Sequence, residues 1–492
     1  IIAFIFAVTI SNTVKKESMT VGTLRASGYT KGELVRHYLA APVIVTFVSA
    51  IIGNILGYTV FKELIVYMYY SNYSLPTYVT LWNPDAFIKT TIIPVVLMFV
   101  INLLVLIRML RHTPLQFLRC DLKKNKRKKA MRLPRWNFLS RFRLRIIFQN
   151  IPNYLILFVG IAFISIMLAM AIGMPSTLQY YKDNTKDMMF ADYQYVLKSY
   201  KDETGKEITT KNSDAEKFSM DSLLYKTDAL DEEVSIYGVE DTSKYISLPD
   251  AKNLKEKEVS ISKPFSDKYD VAVGDTVTLN AKYEKKKYLF KVKGFFEHSQ
   301  SIAVFMPIEQ YRTVFDKDED AFDGFFTNTK IKDVKKDYIA TVITEREITK
   351  MSNQLDHTMG SYMLYFQFLC VVLSAVLIYL LTKIIIEKNE VAISMTKILG
   401  YTDGEIAKLY LLATTIVVII CAALSVLVGT LVMRSVWTVM LQSMSGWFTF
   451  IMGPLDYFKM FAFIFVGYLV VMLFDFRRIR KIPLDEALKR VE

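Results

Sequence analysis

Apolar and polar stretches alternate along the chain, and seven apolar ones stand out, at about residues 1–14, 41–65, 86–107, 150–174, 361–386, 408–433 and 456–476. A helix needs ~20 mostly apolar residues to cross the ~30 Å hydrocarbon core of a bilayer. In lipid it must satisfy its own backbone polar groups, so helices are the expected spans. The pattern therefore predicts a membrane protein with an α-helical transmembrane bundle of seven spans. An eighth is expected in a longer chain, because Ile1 already lies inside an apolar run with no initiator methionine or signal-peptide charge ahead of it.

The long polar region between the fourth and fifth apolar stretches has a different period. Residues Thr276–Leu279 and Tyr288–Lys293 alternate on either side of a charged turn at Glu284–Lys287, which predicts two strands. Amphipathic helices are expected at 307–316 and 332–357. The region reads as an α+β domain of about 180 residues, enough to bury a core of its own. The expected organisation is a first membrane module at 1–119, a basic linker at 120–145, a membrane helix at 146–175, the α+β domain at 176–357 and a second membrane module at 358–492.

Charge orients these parts. Residues 108–145 hold 14 Lys and Arg against the single acid Asp121, including the run Lys123, Lys124, Lys126, Arg127, Lys128 and Lys129. Residues 176–355 hold 28 Lys and Arg against 33 Asp and Glu, which leaves +18 for the remainder of a chain whose formal charge is +13. Excess positive charge in short loops beside apolar helices marks the cytoplasmic side, and a nucleic-acid partner is not needed to explain it. The basic linker and the C-terminal tail are thus expected in the cytoplasm. The loops near 66–85 and 435–455 and the α+β domain are expected outside.

The membrane modules contain one stretch twice. Lys15–Leu39 reads KKESMTVGTLRASGYTKGELVRHYL and Glu387–Leu411 reads EKNEVAISMTKILGYTDGEIAKLYL. An offset of 372 residues pairs Lys16 with Lys388, Gly28 with Gly400, Tyr29 with Tyr401, Thr30 with Thr402, Gly32 with Gly404, Glu33 with Glu405 and Tyr38 with Tyr410. Further on, Gly57 pairs with Gly429, and Arg108, Arg111, Pro114 and Leu115 pair with Arg477, Arg480, Pro483 and Leu484. Collinear matches of this kind indicate duplication. Each copy predicts a polar helix (Lys15 to about Ala26 in the first), a glycine break, and a second helix opened by a T-x-x-E capping box. Met19, Val21 and Leu24, and likewise Val391, Ile393 and Ile398, would give such a helix an apolar edge for a partner's groove.

Catalytic and metal chemistry find little support. No phosphate-cradling G-x-x-x-x-G-K-[ST] sequence occurs, since Gly205-Lys206 runs into Glu207. His37, His112, His298 and His357 lack ligand spacing. Glu232-Glu233 and Asp318-Glu319-Asp320 read as solvated turns. Cys120, Cys370 and Cys421 lie in or beside membrane segments, so no disulfide framework holds the α+β domain. Ionisable residues within the spans are scarce, with Lys89 and Lys459 near the outer ends, which disfavours an ion pathway.

The repeated stretches, the R-x-x-R-x-x-P-L endings at Arg108 and Arg477, and VAVGDTVTL at Val271–Leu279 together resemble the FtsX-like permease family. These are membrane subunits of ABC transporters of the MacB and lipoprotein-release type. The resemblance implies two FtsX-like modules and one MacB-like periplasmic core domain in one chain. It assigns coupling to an ATPase subunit to Lys15, Lys16, Glu17, Gly22, Arg25, Gly28, Tyr29, Thr30, Gly32 and Glu33 in the first copy. In the second copy the same role falls on Glu387, Lys388, Glu390, Lys397, Gly400, Tyr401, Thr402, Gly404 and Glu405. ATP and Mg would sit on a separate pair of ATPase subunits, with no cofactor, metal or catalytic residue on this chain. Lipoproteins, peptides and antibiotics are the implied substrates. The alternative implication is a non-transporting regulator of a cell-wall hydrolase or sensor kinase. The cysteine-free outer domain and lysine- and tyrosine-rich composition suit a Gram-positive plasma membrane.

Overall fold

A computed structural model describes residues 2–70, 74–119, 137–248, 254, 257–297 and 301–483. Leu484, Cys120, His298 and the basic run Lys123–Lys129 lie outside the described residues. The chain divides into two compact units, one of residues 1–168, 364–429 and 458–492 and another of residues 169–363 and 430–457.

The first unit is helical. Its elements are α1 (Ile2–Lys16), α2 (Ser18–Ala26), α3 (Lys31–Leu56), α4 (Lys62–Tyr70), α5 (Pro84–Phe87), α6 (Ile93–Met109), α7 (Pro114–Leu118) and α8 (Phe138–Gln149). It also takes the first part of α9 (Ile151–Asp183) and the last part of α12 (Glu345–Lys388), then α13 (Glu390–Ile398) and parts of α14 (Asp403–Gln442) and α15 (Pro454–Lys481). Among the described residues six helical segments are long and apolar enough to cross a membrane: 31–67, 84–109, 151–183, 362–388, 403–442 and 454–481. The seventh expected span, at 1–14, forms α1, whose 15 residues fall short of a bilayer's width. The first two of the six are each interrupted by a single π-helical turn, at Gly57–Phe61 and Ile88–Ile92.

The two modules bury corresponding residues. Val14, Val21, Leu34, Leu39 and Leu110 belong to one cluster, and Ile386, Ile393, Ile406, Leu411 and Ile479, their counterparts in the repeat, belong to another. Retention of apolar character at the same inward positions is what duplication of a packed unit predicts. One difference is steric. A Cβ on Gly429 would meet Ser165 of α9 at 2.7 Å, whereas Gly57 has nothing within 4 Å.

The second unit centres on a nine-stranded mixed sheet, ordered β3-β7-β4-β6-β5-β2-β8-β1-β9 with a further β2–β3 pairing. The strands are β1 (Tyr193–Leu197), β2 (Glu216–Lys226), β3 (Asp231–Val239), β4 (Glu258–Ser262), β5 (Thr276–Asn280), β6 (Lys287–Phe296), β7 (Ala303–Pro307), β8 (Gly324–Thr327) and β9 (Ile339–Thr344), with α10 (Lys263–Tyr269) and α11 (Ile308–Phe315) packed on them. The hairpin expected around Glu284–Lys287 is present as β5 and β6, registered Asn280 to Lys287. Gly274 turns the chain into β5 at φ +103°, and the Asp275 carboxylate accepts the Ala272 N–H at 2.8 Å. Gly324 is fixed by packing, since a Cβ there would meet the Tyr195 carbonyl at 2.1 Å. The helix expected at 332–357 is corrected: residues 339–344 are strand β9, paired antiparallel with β1, and the helix begins at Glu345. Ile339, Thr341, Val342, Ile343 and Thr344 are β-branched, and the open edge of β1 rewards an extended partner.

Asp214, just ahead of β2, sets a pH dependence. The Asp214 carboxylate accepts Lys244 Nζ at 2.8 Å and the Asn328 N–H at 2.7 Å, and these bonds hold the Asp214 pKa well below the usual aspartate range. A depressed folded pKa adds stability that is full above the unfolded value of ~3.9 and is lost as pH falls through the folded one. Thermal melts of the full chain and of Asp214→Asn should therefore differ at neutral pH, with a gap that starts to narrow only as the pH falls below about 4. A gap that stays constant down to acid pH contradicts this account.

Candidate functional site

Each copy of the repeated stretch builds the same local structure from short-range chemistry. In the first copy α1 breaks at Glu17, so the polar helix is the separate α2, not one continuous helix from Lys15. It ends at Gly28, φ +100°, with the Gly28 N–H on the Arg25 carbonyl at 3.3 Å and the Tyr29 N–H on the Leu24 carbonyl at 3.1 Å. Gly400, φ +88°, ends α13 with the matching bonds to Lys397 at 3.0 Å and from Tyr401 to Thr396 at 3.3 Å. This pair of bonds is the Schellman termination, which needs a left-handed residue and selects glycine. The next helix opens with the capping box: Thr30 N–H to Glu33 Oε2 at 2.8 Å and Glu33 N–H to Thr30 Oγ1 at 3.3 Å. Thr402 and Glu405 repeat it at 2.9 and 3.4 Å. Gly32 and Gly404 are exposed in the first turns that follow.

The polar helices are tied to the last span of their own modules. Ser18 Oγ donates to the Phe117 carbonyl at 2.6 Å, and Gly22 leaves room for Leu118, which an added Cβ would meet at 2.9 Å. Arg25 Nη1 donates to the Leu110 carbonyl at 3.2 Å and also to that of His112. At the same position in the second copy, Lys397 Nζ donates to the carbonyls of Ile479, Arg480 and Ile482 at 3.0, 3.1 and 3.0 Å and pairs with Asp403 at 3.2 Å. These carbonyls belong to the C-terminal ends of α6 and α15, where a helix has acceptors without intrahelical donors and where a cation is favoured. Arg25 and Lys397, which differ in sequence, thus do the same thing.

The R-x-x-R-x-x-P-L endings mark the same place in both modules without saying which of their residues holds it. Arg108, Arg111, Arg477 and Arg480 are exposed, and the buried anchors are Leu110 and Ile479 between them. Pro114 opens α7 behind a Thr113–Gln116 capping box, Leu115 is exposed, and Pro483 lies at the surface after α15. The spacing signals a helix terminus, which no side-chain motif advertises.

The remaining candidates are ion-paired or solvated. Lys16 reaches Glu390 at 3.4 Å, joining the two copies, and Glu17 accepts the Tyr38 hydroxyl at 2.5 Å. Glu387 accepts Arg478 at 2.7 Å, and Lys388 donates to Asn150 at 3.1 Å. Lys15 is exposed. The expected apolar edge splits in two. Val21 and Ile393 are fully buried against their own modules, while Met19 (63% exposed) and Tyr29 in one copy and Met395, Ile398, Leu399 and Tyr401 in the other face solvent. Helical periodicity marked an edge without telling which residues the module had already claimed. Also missed were Asp456 and Asp475, buried acids inside α15.

The sequence pattern of the FtsX-like permease C-terminal family matches residues 1–114 and 364–484, the two halves that carry this site. Both matched segments are thus similar to FtsX-like permeases, and among the described residues they hold five of the six helical segments long and apolar enough to cross a membrane, in whole or in part. Among solved structures, the extracellular domain of the noncanonic ABC-type transporter YknZ from Gram-positive bacteria is similar over 34% of this chain and 94% of that one, at 10% sequence identity and a TM-score of 0.20. No curated protein matches the chain.

Lys397→Met strands three carbonyls at the end of α15, and loss of a charge-assisted bond of this kind costs roughly 1.5–3 kcal/mol. Thermal unfolding of the full chain should show a clear loss for Lys397→Met and near-native behaviour for Lys397→Arg, as Arg25 already fills this role in the other module. Equal loss in both variants would count against the carbonyl clamp.

Proposed function

We propose that the exposed faces of α2 and α13 dock a separately encoded pair of ATPase subunits, with ATP and Mg on those partners, and that Lys15–Glu33 and Glu387–Glu405 are the coupling elements. One observation carries the reading: in both modules a basic side chain of the polar helix holds the terminal carbonyls of the last span, while Met19 and Tyr29, or Met395, Ile398, Leu399 and Tyr401, stay uncovered. A push on the docked face therefore reaches α6 or α15 through directional bonds. The docked side is the cytoplasmic one, with the C-terminus, and the α+β domain works outside a Gram-positive plasma membrane. Movement of that domain extracts or exports an amphipathic substrate such as a lipoprotein, peptide or antibiotic. The family match and the orientation of charge support this assignment.

The two docking faces differ, because Ser27 in the first copy stands where the exposed Leu399 stands in the second. The test uses the double variant Gly28→Val, Gly400→Val. A β-branched residue is strained at positive φ, and neither site has a neighbour within 4 Å, so the turns deform without overpacking the modules. In lipid nanodiscs the variant should insert normally and fail to raise the partner's ATPase rate above its basal value. Wild-type stimulation in the double variant would remove the basis for the docking assignment.

A further inference from the structure

The acid pair Glu232-Glu233 reads from sequence as a solvated turn. In the structure Glu232 lies in β3 with its side chain 2% exposed, paired with Lys268 of α10 at 0%. Burying both charges costs several kcal/mol per ion unless the geometry is good and their remaining donors and acceptors are used. Here the second set of partners comes from the loop between α14 and α15. Lys268 Nζ donates to Glu232 Oε2, to the Met444 carbonyl at 2.7 Å and to the Gly446 carbonyl at 3.2 Å. Glu232 in turn accepts the Gly446 N–H on Oε1 at 2.9 Å and the Tyr269 hydroxyl on Oε2 at 3.0 Å. All three ammonium protons have acceptors, and two of those acceptors are loop backbone.

The rest of the loop is held as well. Gly446 adopts φ +85°, and Trp447 packs against the domain core that contains Phe265 and Leu279. The Thr449 N–H donates to the Tyr181 hydroxyl at 2.9 Å. Thr177 Oγ1 donates to the Ile451 carbonyl at 2.9 Å and accepts the Ile451 N–H at 3.1 Å. Gly173 of α9 makes way for Phe450, whose ring an added Cβ would meet at 2.1 Å. By comparison, the outer loop of the first module bonds its own flanking helix, through Tyr78 to Glu63 and Lys62 to Thr80.

We propose that the Glu232–Lys268 pair is a clasp for the 444–447 segment, which fixes the outer ends of α14 and α15 to the α+β domain so that they move as one body. A buried ion pair contributes little net stability over an apolar pair of similar volume, but its bonds have direction. Here they set the position of a loop backbone, which apolar contact alone would leave free to slide. The clasp itself does not depend on the proposed ATPase coupling. Its use in force transmission does.

Hydrogen exchange of the full chain in nanodiscs tests it without nucleotide or partner. In Glu232→Leu, Lys268→Met, which removes both charges together, amides of 443–452 should exchange about tenfold faster or more, while β3, β4 and β6 keep wild-type protection, as expected for a local opening separate from global unfolding. Gly446→Val should do the same from the loop side without touching the domain interior. Wild-type exchange of the loop in the charge-free variant overturns the clasp, and so does simultaneous loss of sheet protection in both variants. If the loop loosens as expected while ATPase stimulation proves absent from the wild type, the clasp stands and the coupling assignment falls.

Discussion

A membrane helix that ends in water leaves backbone carbonyls without donors, and in this protein those carbonyls organise the end of each module that carries the repeated stretch. The last span of both modules ends on acceptors that the preceding polar helix fills with one cationic side chain, Arg25 or Lys397. The requirement is geometric, since the cation must arrive over the helix terminus with a short reach. The first-copy features follow from it: Gly22 brings α2 close to α7, Ser18 adds a bond to the same segment, and Gly28 turns the chain away once the contact is made.

The same logic recurs in the second unit. A loop has backbone groups that no strand or helix satisfies, and Glu232 and Lys268 supply partners for three of them at Met444 and Gly446. Both sites are cases in which side-chain charge is spent on main-chain groups. Such contacts tolerate sequence change in the segment they hold, because carbonyls and N–H groups are present whatever the side chain. This explains how the R-x-x-R-x-x-P-L endings can anchor through Leu110 in one module and Ile479 in the other.

Much of the site was legible because its determinants are local. A glycine at a Schellman termination and a T-x-x-E box act within six residues, and both copies adopt the geometry their sequences specify. Period-two alternation likewise located β5 and β6. The failures share another cause. Residues 339–344 have a partner strand far away in sequence, and that partner overrode the helical reading. Helical spacing put Val21 and Met19 on one candidate edge, and only packing against α7 and α6 decided that one is buried and the other exposed.

The sequence alone determined the class of the protein, a duplicated helical membrane unit with an inserted α+β domain, because span length, charge asymmetry and a collinear repeat are properties of the chain itself. It also determined the turn and caps of each polar helix. Tertiary structure decided which charges do structural work. Glu232 and Glu233 are adjacent and chemically alike, yet one is buried against Lys268 and the other pairs with Lys282 at the surface. Arg25 and Lys397 looked like a difference between the copies and prove to be the same contact. Burial and the position of a distant carbonyl are not encoded in neighbouring residues, so these assignments required the folded chain.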